Sequence, residues 1–315
     1  MSERTAARLV EVTEDHQGQR LDNFVARLLG ELPRSAVYRV IRRGEVRVNG
    51  GRKSARHRLQ AGDQVRLPPV ARSGATADTE PKALPRASTD LLEGLAGRIL
   101  HEDDDLLLLD KPSGLAVHGG SGIHLGLIES LRQARPDQFL ELCHRLDRET
   151  SGVLAIAKSR RGLVAAQEAF RTRQTKKRYA VIVDGSWSHG DRSVREPLLR
   201  FNAPNGERRV KVSTAGKASR TDFRVLTTGA RASRLQAALH SGRTHQIRVH
   251  AAFCGHPVVG DEKYGKPQQR QHWAAAGISQ MALHAERLQL NLAGRRLDVR
   301  APLPERFERI WRALQ

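Results

Sequence analysis

Cysteine, signal-like segments and long apolar runs are all scarce in this sequence. The two cysteines, Cys143 and Cys254, form no Cys-x-x-Cys pair, so neither a disulfide framework nor a thiolate zinc site is expected. The longest aliphatic run, Leu106–Leu109, is much shorter than the ~20 apolar residues of a membrane-spanning helix. Because the first residues also lack the apolar core of a signal peptide, the sequence predicts a cytoplasmic protein without a membrane partner.

Acidic and aromatic residues are also few. The chain of 315 residues has 34 Asp and Glu against 54 Lys and Arg, which gives a formal net charge of +20. Since each phosphate neutralised by Lys or Arg releases condensed counterions, this charge predicts a polyanionic partner, with nucleic acid favoured over membrane. Aromatic residues make up only 4% of the chain, so any stacking on bases must rest on one or two residues.

A proline-rich segment divides the chain. Residues 68–90 contain four prolines and no aromatic residue, which is typical of a flexible linker. We therefore predict an N-terminal domain over residues 1–67, with its core at about 18–67, and a C-terminal domain over residues 91–315.

The N-terminal domain is expected to contain two helices and a hairpin. Apolar residues recur at helical spacing over Leu21–Leu32 and again over Ser35–Arg43. Val46 and Val48 alternate with charged residues, Asn49-Gly50-Gly51 supplies turn residues, and Val65–Leu67 can return as a strand.

Basic residues are concentrated in this domain. Residues 34–58 carry nine Lys or Arg and one acid. A run of this kind is often only a solvated face. Here, however, the helix, helix and hairpin pattern resembles the S4 RNA-binding module. That resemblance implies RNA contacts from the second helix and the first strand, through Arg39, Arg42, Arg43 and Arg47.

The C-terminal domain mixes short apolar strands with helices, and no repeat of constant period is evident. We expect a helix over Leu163–Phe170. We expect strands over residues 105–111, 152–157, 178–183 and 283–290. The predicted fold class is α+β, with a mixed, largely antiparallel sheet.

Two runs begin like known catalytic motifs but lack residues that those motifs require. The run from Gly260 to Pro267 has the glycine spacing of a phosphate-binding loop, but proline stands where Ser or Thr would hold Mg²⁺. His284-Ala-Glu286 begins like a zinc deaminase signature, but no Pro-Cys-x-x-Cys follows. We therefore predict no metal site and no nucleotide or other cofactor.

One dense segment remains, His144-Arg-Leu-Asp-Arg-Glu-Thr-Ser-Gly152. It resembles the signature of the RluA-like pseudouridine synthases, in which the aspartate of HRLD is essential for catalysis. Three other runs resemble motifs of that family in the same order along the chain: Leu109–Gly114, Lys177–Ala180 and Gly242–His250. The resemblance covers nearly the whole chain and implies a pseudouridine synthase catalytic domain behind the S4-like module.

The resemblance also implies roles for individual residues. Asp147 would be the nucleophile or base, Arg248 would pair with it, and a flipped uracil would stack on Tyr179. A carboxylate with an ordinary pKa of ~3.9 is ionised at neutral pH and needs no activating partner. Attack at uracil C6, attack at ribose C1′ and abstraction of the C2′ proton would all use this carboxylate.

Three further residues are expected to contact RNA. Arg145 would fill the place that the flipped base leaves, and Lys176 and Lys177 would contact phosphates. Structural alternatives stay open for three of the site residues: Asp147 could cap a turn or pair with Arg148, Tyr179 could be a half-buried strand residue, and Arg145 could pair with Glu149.

The reaction implied is site-specific isomerisation of uridine to pseudouridine. The S4-like module and the run KPSGLAVHGGSG favour large-subunit (23S) ribosomal RNA, or a pre-ribosomal particle, as the substrate of a monomeric enzyme. One alternative is a ribosome-assembly factor that binds ribosomal RNA without turnover. Another is a pseudouridine synthase with a different RNA target.

Overall fold

The chain divides into two units, Met1–Ala83 and Leu84–Gln315. The computed structural model describes residues 7–29, 32, 34–69, 87–119, 125–204, 206–292 and 294–315. Most of the linker predicted over 68–90 lies outside the described residues, and at its end Thr89 begins a helix that Ser88 caps through its side chain. No helix in the described ranges is long and apolar enough to cross a membrane.

The N-terminal unit is a three-stranded antiparallel sheet with two helices. Its elements are β1 (Arg8–Glu11), α1 (Leu21–Leu28), α2 (Arg34–Arg43), β2 (Arg47–Val48) and β3 (Gln64–Leu67). The strands are ordered β1-β3-β2. The predicted second helix and hairpin are confirmed. Positive φ angles at Asn49 (50°) and Gly50 (75°) explain why these residues stand in the turn.

The apolar stripes of both helices form the core of this unit. Phe24 and Val25 of α1 are buried together with Val37 and Ile41 of α2. The first helix ends at Leu28, so its predicted extension to residue 32 is wrong. The apolar spacing continues because Leu29 and Leu32 still pack against the core, and the Leu32 amide donates to the Leu29 carbonyl at 2.8 Å.

The C-terminal unit is built around one ten-stranded sheet. Its helices are α3 (Thr89–Ala96), α4 (Leu127–Ala134), α5 (Arg160–Arg171), α6 (Gln246–Phe253), α7 (Pro267–Ala275) and α8 (Glu305–Ala313). Its strands are β4 (Ile99–Glu102), β5 (Leu106–Lys111), β6 (Glu141–Leu142), β7 (Ser151–Ala157), β8 (Thr175–Asp184), β9 (Arg192–Val194), β10 (Leu198–Asn202), β11 (Arg208–Val212), β12 (Thr221–Thr228), β13 (Ala232–Leu239), β14 (Leu283–Leu292) and β15 (Arg295–Arg300).

The sheet is mixed but largely antiparallel, as predicted. Its strands are ordered β4-β5-β7-β14-β8-β13-β12-β9, with β15 paired to β14 and β6 paired to β7. Among the strands that the structure describes, only β7 and β14 run parallel to each other. The α+β class expected from the sequence is therefore confirmed.

Strand β5 is covered on both faces of the sheet. Leu107 and Leu109 of β5 belong to one apolar cluster, whereas Leu106 and Leu108 belong to another. Successive side chains of a strand point to opposite faces, so a strand covered on both sides needs a continuous apolar run. The Leu106–Leu109 run is such a strand, and α5 covers one of its faces through Leu163 and Ala166.

Candidate active site

The loop between β6 and β7 carries Asp147. Its neighbour Leu146 is buried, whereas the Asp147 side chain keeps 27% of its surface exposed. The Thr150 amide donates to the Asp147 carbonyl at 3.1 Å and closes a turn behind the carboxylate. The loop thus holds its backbone in the protein and presents the carboxylate to a cavity.

Arg248 of α6 links two carboxylates. Its Nη1 donates to Asp147 Oδ2 at 3.2 Å, and its Nε and Nη2 donate to the two oxygens of Asp261 at 2.6 and 2.7 Å. Arg248 is 5% exposed and Asp261 is 1% exposed. Burial opposes the charge of Arg248, but the hydrogen bonds and negative charges of Asp261 and Asp147 raise its pKa. The guanidinium is therefore a fixed cation behind Asp147.

Tyr179 lies on β8 and lines the same cavity as Asp147 and Arg248. The residue is 7% exposed. Burial raises the pKa of Tyr179, and the negative charge of Asp147 raises it further. The phenol is therefore protonated at neutral pH and offers the cavity an apolar ring with a hydroxyl donor. The structure brings together all three residues that the motifs single out as catalytic.

The cavity has a volume of about 500 Å³ and a strongly basic wall. Asp147 is its only acidic lining residue among those described. Its cationic lining residues are Arg145, Arg171, Lys177, Arg200, Arg243 and Arg248. A concave site with cations around one carboxylate suits a polyanionic substrate whose reacting part carries no negative charge.

His245 stands at the start of α6, next to Asp147. Its backbone is left-handed, with φ 53°, and its Nε2 lies 3.9 Å from Asp147 Oδ2. The other ring nitrogen, Nδ1, is 2.7 Å from the hydroxyl of Tyr264. Burial and the nearby cations lower the pKa of His245 to about 4, although the charge of Asp147 opposes this shift. The imidazole is therefore neutral at pH 7.

Lys111 fixes the loop that carries Asp147. The side chain is fully buried, and its Nζ donates to the carbonyls of Pro112, Leu115 and Arg148 at 2.8, 2.7 and 2.9 Å. Burial lowers the pKa of Lys111 to about 7. The Ser113 hydroxyl adds a bond of 2.7 Å to the carbonyl of Glu149. The turn after β5 is thus bonded directly to the Asp147 loop.

The residues that were predicted to contact RNA in this unit take different positions. Arg145 is exposed at the cavity, and its guanidinium forms no hydrogen bond or ion pair with any residue in the described ranges. Glu149 pairs with Arg148 at 3.5 Å instead. Lys177 lines the cavity with its Nζ 5.7 Å from the ring centroid of Phe170, whereas the exposed Lys176 is not among the lining residues.

The N-terminal unit presents its predicted cations on the surface. Arg39, Arg42 and Arg43 are exposed on α2. Arg47 on β2 is half-buried, and its Nη1 donates to the carbonyl of Gly50 at 3.2 Å. These positions stay predictions of RNA contact.

Sequence reasoning missed the supporting residues of the site. Asp261 lies in the run from Gly260 to Pro267, which lacks the Ser or Thr of a phosphate-binding loop. Its hydrogen bond to Arg248 cannot be predicted from the order of residues along the chain. Lys111 was noticed only as part of a motif. The sequence offered one signal for Lys111: it closely follows a leucine run that predicts a buried strand, and a buried ammonium requires acceptors.

Comparisons with known proteins give matches in both units of the chain. The model of the RNA pseudouridylate synthase family matches residues 105–253, and the model of the S4 domain matches residues 19–65. "Ribosomal large subunit pseudouridine synthase C" of Vibrio vulnificus strain CMCP6 is 41% identical over 315 residues, covering 99% of this chain and 98% of that protein. The protein of the same name from Escherichia coli strain K12 is 42% identical, covering 100% of this chain and 98% of its own length.

Two solved structures have the same catalytic fold. Human RNA Pseudouridylate Synthase Domain Containing 1 aligns with a TM-score of 0.58 at 27% identity, over 67% of this chain and 84% of that chain. Human RNA Pseudouridylate Synthase Domain Containing 4 aligns with a TM-score of 0.58 at 27% identity, over 71% of this chain and 95% of that chain. The chain belongs to the RNA pseudouridylate synthase family, and it is a pseudouridine synthase with an N-terminal S4 domain.

Proposed function

We propose that this enzyme isomerises specific uridines of large-subunit ribosomal RNA and that Asp147 is its reacting side chain. The bacterial relatives carry that substrate in their names and align with the chain over nearly its full length. The observation that supports the role of Asp147 is the position of its carboxylate: buried Arg248 holds it in a cavity whose other charged lining residues are all cations.

The two oxygens of Asp147 have different surroundings. Oδ2 accepts the hydrogen bond from Arg248, whereas Oδ1 accepts none from any residue that the structure describes. One oxygen therefore orients the carboxylate, and the other is available to the nucleoside. Whether the carboxylate attacks C6, attacks C1′ or removes the C2′ proton, an oxygen at this position must reach the nucleoside.

A paired uridine must leave its stack to enter this cavity, at a cost of a few kcal/mol. The ring of Tyr179 would support the uracil next to Asp147, since the two residues line one cavity. Arg145 would occupy the vacated place in the RNA, because its planar guanidinium stacks and donates hydrogen bonds there. Its exposure and lack of a partner within the described chain leave it able to do so.

Phosphates around the everted nucleotide would meet the remaining cations. Lys177 lines the cavity, and Lys176 extends the basic surface along β8. Arg39, Arg42, Arg43 and Arg47 of the N-terminal unit would add affinity by contacting further phosphates. The proposal includes a monomeric enzyme that acts in the cytoplasm.

Release of tritium from uracil C5 tests this function. Transcripts of large-subunit ribosomal RNA, small-subunit ribosomal RNA and transfer RNA, each labelled at C5, are incubated with the enzyme, and the modified bases are then mapped. We expect release to water from the large-subunit transcript at a few defined uridines, and none with Asp147→Ala. Equal release from all three transcripts would contradict the substrate assignment, and release by Asp147→Ala would contradict the role of Asp147.

A further inference from the structure

We propose that the N-terminal unit binds an unpaired RNA base on the ring of Tyr38, in a groove between α2 and residues 52–55. This inference rests on the proposed function in taking RNA as the ligand. The groove has a volume of about 680 Å³, and no acidic residue lines it within the described chain. It is lined by Ser35, Tyr38, Arg39, Ile41, Arg42, Arg52, Lys53, Ser54 and Ala55.

Tyr38 is unusual because its ring is exposed. It keeps 44% of its surface accessible, and Phe253 is the only other exposed aromatic residue in the part of the chain that the structure describes. An aromatic ring usually contributes to stability by burial. A ring left open between cations is instead typical of a surface that stacks on bases.

The hydroxyl of Tyr38 is fixed. Its oxygen donates to Asp22 Oδ2 at 2.9 Å, and the Asp22 side chain is only 2% exposed. Asp22 also accepts a hydrogen bond of 3.1 Å from Arg20 Nε and one of 2.9 Å from the Asn23 amide. The ring is therefore held in its open position before RNA binds, which reduces the entropy lost on binding.

The opposite wall of the groove is attached to the same helix that carries Asp22. The Asp22 amide donates to the Ala55 carbonyl at 3.0 Å, and the Leu21 amide donates to the His57 carbonyl at 2.8 Å. The segment that presents Arg52 and Lys53 is thereby fixed opposite α2. Both cations are exposed, so they stand ready for the phosphates on one side of the base.

The cations on the other wall complete the match to RNA. Arg39 and Arg42 lie on α2 next to Tyr38 and line the groove. A single aromatic ring between two pairs of cations fits one nucleobase with a phosphate on either side. Stacking requires only a π face, so the groove is expected to accept any of the four bases.

Fluorescence titration of the full chain tests the proposal. The probe is a single-stranded RNA of 12 nucleotides with a central 2-aminopurine, and a fully paired RNA duplex of the same length serves for comparison. Replacing Tyr38 by alanine is expected to lower the affinity for the single strand about tenfold and to leave the duplex affinity unchanged. Replacing it by phenylalanine should keep the affinity within about threefold, because the ring remains.

Three further variants serve as controls. Tyr38→Leu keeps an apolar side chain of similar bulk, so it remains informative if the alanine variant misfolds. Because it lacks the aromatic ring, it should lose as much affinity as Tyr38→Ala. Phe253→Leu changes the other exposed aromatic residue and should bind like the unmodified chain. Arg42→Ala should lower the affinity for both RNAs and reduce the slope of log affinity against log salt by ~0.7 to 0.9.

Equal affinity of the Tyr38→Leu variant and the unmodified chain for the single strand would overturn the proposal. So would a loss with Tyr38→Phe as large as that with Tyr38→Leu, because the hydroxyl rather than the ring would then matter. The titration requires no turnover. A failure of the ribosomal RNA assignment would therefore appear separately, as absent tritium release by the unmodified chain.

Discussion

A single guanidinium links the carboxylate in the catalytic cavity to a second, buried carboxylate outside the cavity lining. Arg248 uses two of its nitrogens for Asp261 and a third for Asp147. The paired bonds to Asp261 fix the plane of the guanidinium, and that plane determines where Nη1 meets Asp147. Lysine could replace the charge but not this geometry, because its ammonium lacks the planar fork.

Asp261 is therefore expected to act as a positioning residue. Asp261→Asn removes the charge that holds Arg248 while keeping the shape of the side chain. We expect kcat to fall about 10- to 100-fold, with KM nearly unchanged, because Asp147 is misplaced only slightly. Steady-state tritium release measures both constants. Asp298→Asn, which breaks an ion pair with Arg287 outside the cavity, is the matched control. A rise in KM at unchanged kcat would contradict this role.

At the level of elements, the parallel contact between β7 and β14 determines where the catalytic loop ends. Ser151 and Gly152 of β7 pair with His284 and Ala285 of β14. Gly152 has φ 107°, and a Cβ there would lie 2.3 Å from the Ala285 carbonyl oxygen. Only glycine permits this approach immediately after the loop that carries Asp147.

Gly152→Ala should therefore destabilise the sheet and impair catalysis. The new methyl group must separate β7 from β14, so we expect the free energy of unfolding to fall by more than ~2 kcal/mol. Gly277→Ala is the control, because Gly277 also has a positive φ (70°) but has open space around it. That variant should lose only ~1 kcal/mol. Urea unfolding compares the two, and equal losses would show that the contact with β14 is unimportant.

The sequence predicts elements better than it predicts their ends and partners. The Leu106–Leu109 run indicates β5 because every one of its positions is buried. The predicted end of α1 is wrong because Leu29 and Leu32 pack against the core beyond the helix and so keep the apolar spacing. The family resemblance paired Asp147 with Arg248, which are 101 residues apart, but pattern alone could not pair Arg248 with Asp261. That contact depends on how the segment between α6 and α7 packs beside β8, which chain order does not reveal.

At the scale of the whole molecule, this strongly basic chain contains several buried or half-buried histidines whose pKa is lowered. Burial lowers the pKa of His144 to about 3, and the charge of Lys177 adds to this shift. Burial likewise lowers the pKa of His245 and of His284 to about 4. His144 Nε2 accepts the Ala155 amide at 3.0 Å, a bond that a protonated ring nitrogen could not make.

Because of these histidines, we expect the free energy of unfolding to fall in mild acid. Their pKa is lower in the folded chain than the ordinary value of ~6.5, so below that pH the unfolded chain binds protons first. Each one stabilises the fold fully above about pH 6.5, and this stability is lost as the pH falls toward 4. Each should lower the free energy of unfolding by ~1.4 kcal/mol per pH unit in that window.

Urea unfolding at pH 7, 6 and 5 measures this effect. The free energy of unfolding should fall by several kcal/mol across the series, and His284→Gln should make the pH dependence less steep. His284 is fully buried beside Ser151, so its replacement removes one of these titrations. A free energy of unfolding that is constant from pH 7 to pH 5 would contradict the neutral state of these rings.

The division between binding and chemistry is tested most directly by one pair of measurements on Asp147→Asn. The affinity for large-subunit ribosomal RNA and the single-turnover rate of tritium release are measured on the same preparation, with the exposed Asp137→Asn as control. We expect the affinity to stay within about threefold, because cations supply it, and the rate to fall at least ~10³-fold, because the reacting oxygen is lost. A rate within tenfold of the unmodified enzyme would contradict the account.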